Sequence, residues 1–503
     1  NSNIKDQSLS IGIKGMVGDW SVDLSNTYGK NSFLYTIGNT FNASMQNSSP
    51  TFFDAGGFSF LQNTSNLDIT QFFEDVMSGL NIAFGAEYRV ENYDIVAGEE
   101  PSYAQYTANG QRITLASQQP SQDFFGNSRP GGSQVFPGFA PSNELSRGRS
   151  SVAGYFDVEA DFSEAFLASF ATRYENYSDF GGTINFKLAG RLKATDNLNI
   201  RAALNTGFRA PSLHQINFNS TSTIFDNEGN PQEVGTFAND SRAAKLLGIP
   251  QLKEETSQSV SLGLTAKIPD ANITVTVDGY FVKINDRVVY TGQFSGPGTG
   301  TELDNLLRQA NATAASFFAN AIDTESKGLD IVITHKTDLG ANWRLKSDLA
   351  GTLSKTKKVG DINASDVLRN AGLIDTYFPE DSRVYLEEAV PRTKINLSNS
   401  LTSDKFIIFL RNVYFGEVTE ATTTLANQQV FGSKLVTDLS VGYKATDALT
   451  LTLGANNLFD IYPDRAKDEF GNRSDGRFDW SRRAQQFGIG GRFLFARLSF
   501  TLK

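Results

Sequence analysis

The side chains of this 503-residue chain with the most chemistry to offer are charged and stand two residues apart. Glu87, Arg89 and Glu91 make one such series, Asp157, Glu159 and Asp161 a second, and Arg201 sits alone between Ile200 and Ala202. Asp157 and Glu159 offer paired carboxylates, but general acid–base work also needs a shifted pKa and a substrate pocket. Cysteine is absent, which excludes a thiol nucleophile, a thiolate metal centre and a disulfide framework. The two histidines, His214 and His335, leave little for imidazole catalysis or a histidine-rich metal site. Residues 464–479 mix Asp464, Asp468, Asp475 and Asp479 with Arg465, Arg473 and Arg477, without the regular spacing of a calcium loop, so solvated ion pairs are expected there. The expectation is a protein that is not an enzyme and has no resident cofactor or metal. The net charge of −10 argues against a nucleic-acid partner, which needs a concentrated basic face.

Residues 99–148 hold a different resource. Tyr103, Tyr106, Phe124, Phe125, Phe136 and Phe139 stand there among Gly, Ser, Asn and Gln. Flat rings on a polar loop suit capture of an amphipathic ligand, because they give contact area at low entropy cost. The same rings could instead pack loop against loop, and surface loops carry both roles. Asp54-Ala55-Gly56-Gly57-Phe58, read as part of a first long loop over 43–66, carries the same two readings.

The elements that must position these groups show through a period of two. Leu80, Ile82, Phe84, Ala86, Tyr88 and Val90 form one face of a strand, opposite Asn81, Ala83, Gly85, Glu87, Arg89 and Glu91. A helical period would scramble both faces. The pattern recurs from Val152 to Phe162, Leu198 to Asn205, Ile273 to Asp278 and Leu449 to Asn456. No run approaches the ~18 apolar residues of a membrane-crossing helix, and mean hydropathy is −0.29. Yet there are 39 Phe, too many for an ordinary polar chain and natural for strands that hide a lipid face in alternation.

Connections between the strands sort by parity. Short joints fall near 17–19, 77–79, 163–165, 194–197, 269–271, 337–342, 403–405 and 444–448. Long ones run over 43–66, 99–148, 211–254, 291–318, 355–391, 415–433 and 459–484, and only 175–181 is short on the long side. One rim of tight turns and one of long loops marks a transmembrane antiparallel β-barrel, with periplasmic turns and extracellular loops. A β-sandwich has no reason to sort its loops this way. About 17 strands lie between these joints, counting 20–42 as one. Because bacterial barrels have even strand numbers and the last strand descends, an odd number of strands is expected upstream. In the last strand Phe487, Ile489, Phe493 and Phe495 fall on odd positions, whereas Leu494, Ala496, Leu498, Phe500 and Leu502 fall on even ones. The even set is expected to face lipid, with a β-bulge or an exit from the membrane at the change of phase.

Four segments resemble the TonB-dependent outer-membrane receptors. Asn205-Thr206-Gly207-Phe208-Arg209-Ala210-Pro211-Ser212-Leu213 is similar to the family's GFRAPSL segment at the top of a strand. Leu252-Lys253-Glu254-Glu255-Thr256-Ser257 resembles its LKPETS segment, with Glu254 in place of proline. Leu453-Gly454-Ala455-Asn456-Asn457-Leu458-Phe459-Asp460, followed by Tyr462, resembles NNLFD-x-Y, and Gly491 to Phe500 resembles the terminal strand. The resemblance implies a barrel of the roughly 22-stranded receptor type enclosing an N-terminal plug. On that view residues 1–503 are one barrel domain without its first strands, its plug or its TonB box. The family commonly ends on an aromatic residue, whereas Phe500 is followed by Thr501, Leu502 and Lys503.

The implied function is uptake of a scarce nutrient such as a ferric siderophore across the outer membrane of a Gram-negative bacterium, driven by inner-membrane proton-motive force. The implied partners are the TonB complex, reached through the plug and box, outer-membrane lipid and lipopolysaccharide, and the ferric chelate; a monomer is expected. Haem, cobalamin and glycans are alternative cargoes, and a passive porin is an alternative activity. Haem receptors of this family place an iron-ligating histidine after the segment that His214 follows, but a lone histidine at a strand-to-loop junction is more often structural. Glu87, Arg89, Glu91, Asp157, Glu159, Asp161 and Arg201 are then lumen residues that hydrate or bind the plug, or line a translocation path. An outer-membrane phospholipase or protease would need clustered Ser–His or Asp–His groups, and a soluble adhesin would leave the loop parity unexplained.

Overall fold

The computed structural model describes residues 1–501 apart from 116, 135, 226–230, 311, 422–427, 468–478 and 482. Leu502, Lys503, Asp468, Arg473, Asp475 and Arg477 therefore lie outside the described residues. Seventeen strands make one antiparallel sheet in which sequence neighbours pair. The first eight are Ser2–Val17, Trp20–Gly38, Phe52–Phe73, Leu80–Val96, Leu145–Ser163, Phe166–Tyr177, Gly181–Thr195 and Leu198–Arg209. Then follow Glu255–Ile268, Ile273–Tyr290, Phe318–Gly340, Trp343–Val359, Thr393–Thr402, Phe406–Phe415, Lys434–Lys444, Leu449–Asn456 and Phe493–Phe500. Among the described residues Ser2–Val17 pairs only with Trp20–Gly38, and Phe493–Phe500 only with Leu449–Asn456.

The sheet is inverted relative to a water-soluble wall. On Leu80–Val96 the apolar Phe84, Tyr88 and Val90 are 39%, 51% and 36% exposed, whereas Glu91 on the opposite face is 7% exposed. On Leu145–Ser163 Val152 and Phe156 point outward, while Ser151 and Ala153 are buried. Outward apolar and inward polar faces are what a barrel wall in hydrocarbon requires. Among the described residues no helix is long and apolar enough to cross a membrane.

Loop lengths follow the expected parity. One rim carries turns such as 18–19, 164–165, 196–197, 341–342 and 403–405. Gly18 (φ 61) and Asn342 (φ 66) supply the left-handed backbone that two-residue hairpins need. The other rim carries 39–51, 97–144, 210–254, 291–317, 360–392, 416–433 and 457–492, with 178–180 as its one short member.

These long loops are folded objects. Ser220–Phe225, Pro231–Thr236, Ala314–Ser316 and Phe294–Ser295 form a separate four-stranded sheet. Helices Arg242–Leu246, Glu302–Gln309 and Asp366–Asn370 pack beside it, each capped by a hydroxyl from Ser241, Thr301 or Ser365. Together they bury Leu247, Phe294, Leu307, Phe317, Leu368 and Tyr377, a core contributed by three loops and the top of Phe318–Gly340. Burial pushes the Tyr377 phenol well above its usual pKa.

Three sequence expectations are corrected. Asp54 to Phe58 lie on the strand Phe52–Phe73, because Trp20–Gly38 extends upward beside them and supplies ladder partners such as Phe33 for Phe58. The second strand ends at Gly38 rather than residue 42. Of the two alternatives for the last strand, the β-bulge is the one overturned: the strand pairs without a register shift from Phe493 to Phe500, and Phe487 and Ile489 fall in the preceding loop. Leu494, Ala496 and Leu498 lie opposite Ala455, Leu453 and Leu451, so these members of the even set share the outward face. Leu453 on that face is 58% exposed.

Candidate functional site

The inward face near the long-loop rim holds an aromatic mouth. Cross-strand register sets Phe33 beside Phe58 and Phe60 beside Tyr93 on one face. Phe33 and Phe58 stack with centroids 5.6 Å apart. Phe139 from the 97–144 loop, Leu213, Tyr93 and Ile95 form its buried centre. Phe136 joins through Tyr35, 4.6 Å away.

His214 is built into this cluster. It lies on the helix Leu213–Asn217, whose start is fixed by reciprocal bonds: Gln215 N–H donates to Ser212 Oγ (3.1 Å) and Ser212 N–H to Gln215 Oε1 (3.0 Å). The imidazole centroid is 4.6 Å from Phe218, 5.5 Å from Tyr93, 5.7 Å from Phe58 and 6.2 Å from Phe318. Burial lowers its pKa below the ordinary histidine value. Among the described residues no group of three or more His, Cys, Asp or Glu is arranged to hold a metal. His335 lies on Phe318–Gly340 near the short-turn rim.

The six aromatic residues of the 97–144 loop divide. Phe136 and Phe139 pack into the mouth. Tyr106 is buried and donates its hydroxyl to Glu100 (2.9 Å); burial first, then that bond, raises its pKa. The Tyr103 ring lies under the Arg112 guanidinium at 5.5 Å. Phe124 and Phe125 are 95% and 83% exposed and meet edge to face at 5.6 Å. The turn that displays them is closed by hydrogen bonds: Asp123 Oδ1 accepts from Phe125 N–H and Asn127 N–H, both at 2.8 Å. Those bonds, Asn127's first, hold the Asp123 carboxyl below its usual range. Asn42 anchors the loop, donating to the carbonyls of Pro101 and Ala104 at 2.8 Å each.

Below the mouth runs a charged stripe. Glu87, Arg89 and Glu91 share a face with Ser151 and Arg149, and Ser151 lies opposite Tyr177 on the next strand. Arg89 bonds Glu87 at 2.5 Å, and Arg173 reaches Glu87 at 3.4 Å and Glu175 at 2.8 Å. Arg149 is the junction. It pairs with Glu91, lies 3.5 Å from Asp179, donates to the Pro211 carbonyl at 2.7 Å and covers the Tyr177 ring at 5.0 Å. Asp161 reaches Arg191 at 3.8 Å, and Arg201 bonds Asp278. Asp157 and Glu159 form no ion pair among the described residues and lie apart from this junction.

Arg149, Arg173, Glu175, Tyr177 and Asp278 were not singled out from sequence. Parity was the available signal: Arg149 keeps phase with Asp157, and Asp278 stands on the polar face already read for its strand. The motif segments prove to be fasteners. Arg209 donates from Nε to Glu255 (2.8 Å), whose other oxygen accepts Val288 N–H (2.7 Å). Asn457, at φ 50, closes its own turn by donating to Ile461 O and accepting Ile461 N–H.

The family model described as TonB dependent receptor-like, beta-barrel matches residues 2–458. The fold is similar to the siderophore receptor PirA from Acinetobacter baumannii, at 13% identity and TM-score 0.64 over 99% of this chain and 62% of that one. It is similar to the ferric enterobactin receptor PfeA from Pseudomonas aeruginosa at 13% identity and TM-score 0.62, with the same coverage of 99% and 62%. The ferripyoverdine receptor of the outer membrane of Pseudomonas aeruginosa, at 12% identity and TM-score 0.57, is covered over 98% of this chain and 56% of that one. No curated protein matches. The chain thus spans 62% or less of the length of these three receptors.

Proposed function

The chain belongs to the TonB-dependent receptor-like β-barrel family, and from that premise we propose that it forms the wall and gathering rim of an outer-membrane receptor importing a ferric siderophore. The observation that carries this reading is the combination of a folded long-loop rim, an exposed aromatic pair at Phe124 and Phe125, and a polar lumen behind an aromatic mouth. Flat aromatic surfaces over a charged channel suit a bulky, polar chelate with apolar rings. The neighbouring receptors for enterobactin and pyoverdine support that cargo class. The packing of His214 among four rings supports a chelate over haem, which would need a free imidazole.

In this reading Phe124 and Phe125 make first contact and the mouth screens what passes. The stripe from Glu87 to Glu175 lines the path or holds a plug. Energy comes from the proton-motive force through TonB acting on a plug and TonB box, and the receptor works as a monomer in outer-membrane lipid and lipopolysaccharide. The full-length receptor tests this as the sole uptake route in an iron-starved cell offered single ferric siderophores. Growth on one of them, abolished when the proton gradient is collapsed, is the expected result. Entry that survives collapse of the gradient would mark a passive pore.

A further inference from the structure

One joint of the wall comes open while both of its strands run on. Gly181–Thr195 and Leu198–Arg209 pair upward only as far as Lys187 and Asn205, where Phe186 N–H donates to the Thr206 hydroxyl at 3.0 Å. Above that point Gly181 to Phe186 stay paired with Phe166–Tyr177 on one side. Thr206 to Arg209 stay paired with Glu255–Ile268 on the other. The two strands have thus parted, each still anchored to its outer neighbour, and a slit is left between them.

The slit joins two unlike surroundings. On Gly181–Thr195 the outward Leu192, Leu188, Phe186 and Ile184 are exposed, and residues 184–192 match the 9–11 that one bilayer crossing needs. The slit therefore opens at the upper boundary of the apolar band. Its inner side faces the charged lumen. There Arg149 lies 3.5 Å from Asp179, in the turn before one strand, and donates to the Pro211 carbonyl, just past the end of the other, at 2.7 Å. That one guanidinium closes the slit from above.

Rings fill what the ladder leaves. Phe208 keeps the outward phase of the exposed Ile200 and Leu204, yet its ring meets Tyr177, on the lumen face, edge to face at 6.1 Å. It reaches there across the end of Gly181–Thr195, whose first two residues are glycines. Tyr174 leans over the same place from outside, since a Cβ at Gly182 would stand 2.6 Å from its hydroxyl. Phe180 stacks on Tyr177 at 4.6 Å. Side chains hold this part of the wall shut, and side chains change rotamer without unzipping a ladder.

We infer that the slit is a side entrance for the acyl chain of an amphiphilic ferric chelate, with Phe208 as its stopper and Arg149 as its latch. The inference rests on the receptor reading above and narrows its cargo to an anionic chelate with one long aliphatic tail. Such a molecule lodges in the outer leaflet by its tail. Lifting the tail over the rim through water costs about fourfold in partition per methylene. Through the slit the tail stays against apolar side chains and rings while the head enters the lumen. Arg149 exchanges Asp179, its most distant partner, for that anionic head. A tail-less chelate gains nothing from the slit and enters by the mouth.

The test places the full-length receptor in phospholipid vesicles with one added cysteine on the lumen face. Asn205→Cys stands at the foot of the slit; Thr356→Cys stands on the same cross-strand row, four strands away. Two probes are compared, a water-soluble maleimide and a maleimide on a palmitoyl chain that is confined to the bilayer. Relative to the soluble probe, the palmitoyl probe is expected to modify Asn205→Cys at least tenfold faster than Thr356→Cys. Phe208→Ala should raise that preference several-fold and Phe208→Trp should lower it. The same ratio for both probes, or a preference indifferent to residue 208, overturns the inference. Cells that depend on the receptor are then offered a ferric citrate-dihydroxamate chelate in palmitoyl and acetyl forms. Phe208→Trp should slow uptake of the palmitoyl form at least tenfold and spare the acetyl form; equal effects on both overturn the inference. Uptake of neither form by the native receptor would count against the receptor reading, while the labelling still reports on the entrance.

Discussion

Arg201 and Asp278 close an ion pair across a strand that lies between them. Nη2 of Arg201 meets both oxygens of Asp278 at 2.5 Å, while register places Gly263 between the two residues. A Cβ at Gly263 would collide with Asp278 Oδ1 and stand 2.9 Å from Arg201 Nε. The glycine is there because two charged side chains meet above it. Gly263→Val is therefore expected to force the pair apart and lower stability by about 1–3 kcal/mol, the usual cost of overpacking. Thermal unfolding of Gly263→Val in the Arg201→Ala/Asp278→Ala background checks the cause: the penalty should largely disappear once there is no pair to displace.

Arg149→Ala should be the most damaging lumen substitution. It leaves Glu91, 7% exposed, with a buried charge that has lost its direct ion-pair partner, and frees the Pro211 carbonyl. Breaking one side of a buried pair costs about 3–5 kcal/mol. The unfolding midpoint should fall accordingly, and a Glu91→Gln/Arg149→Ala double variant should recover part of the loss. No recovery would mean that the Pro211 bond matters more than the pair.

Stability should respond to pH through His214. Its folded pKa lies below the unfolded value of 6.5, so the contribution is intact above pH 6.5 and is lost as pH falls through the lowered value. The native receptor should lose more of its unfolding midpoint between pH 7.5 and pH 5.5 than His214→Phe does. Equal losses would remove His214 from the account.

The six loop aromatics should separate by experiment. Phe139→Ala, at a position 2% exposed, should destabilise by about 3–5 kcal/mol. Phe124→Ala/Phe125→Ala should leave the midpoint unchanged and weaken ferric siderophore binding by tenfold or more, as titration of the full-length receptor would show. Unaltered affinity would move ligand contact elsewhere on the rim.

The wall was legible because its physics is one-dimensional. Alternation in Leu80–Val96 states which face meets hydrocarbon, and turn chemistry at Gly18 or Asn342 states where the chain reverses. The strand count and loop parity followed from those two signals. The rim was not legible, since it depends on contacts between loops far apart in sequence. Nothing local places Phe317 against Leu368, or Asn42 against Pro101 and Ala104. Asp54 to Phe58 looked like loop for a related reason: their ladder partners belong to a strand whose upward reach is set by pairing, not composition. At His214 the sequence favours a structural residue over a metal ligand, but does not say which rings surround it: they come from three strands outside its own helix and from Phe218.

The loop core around Phe317 and Leu368 has a calorimetric consequence. The wall draws its apolar stabilisation from outside the molecule, whereas the loops bury Leu247, Phe294, Leu307 and Tyr377 against one another. Water is the opponent in one case and detergent or lipid the ally in the other. Heating should therefore produce two endotherms. The first, belonging to the cap, would carry the large positive heat-capacity step of hydrated apolar surface and be indifferent to the choice of detergent. The second, belonging to the wall, would move with every change of detergent chain length.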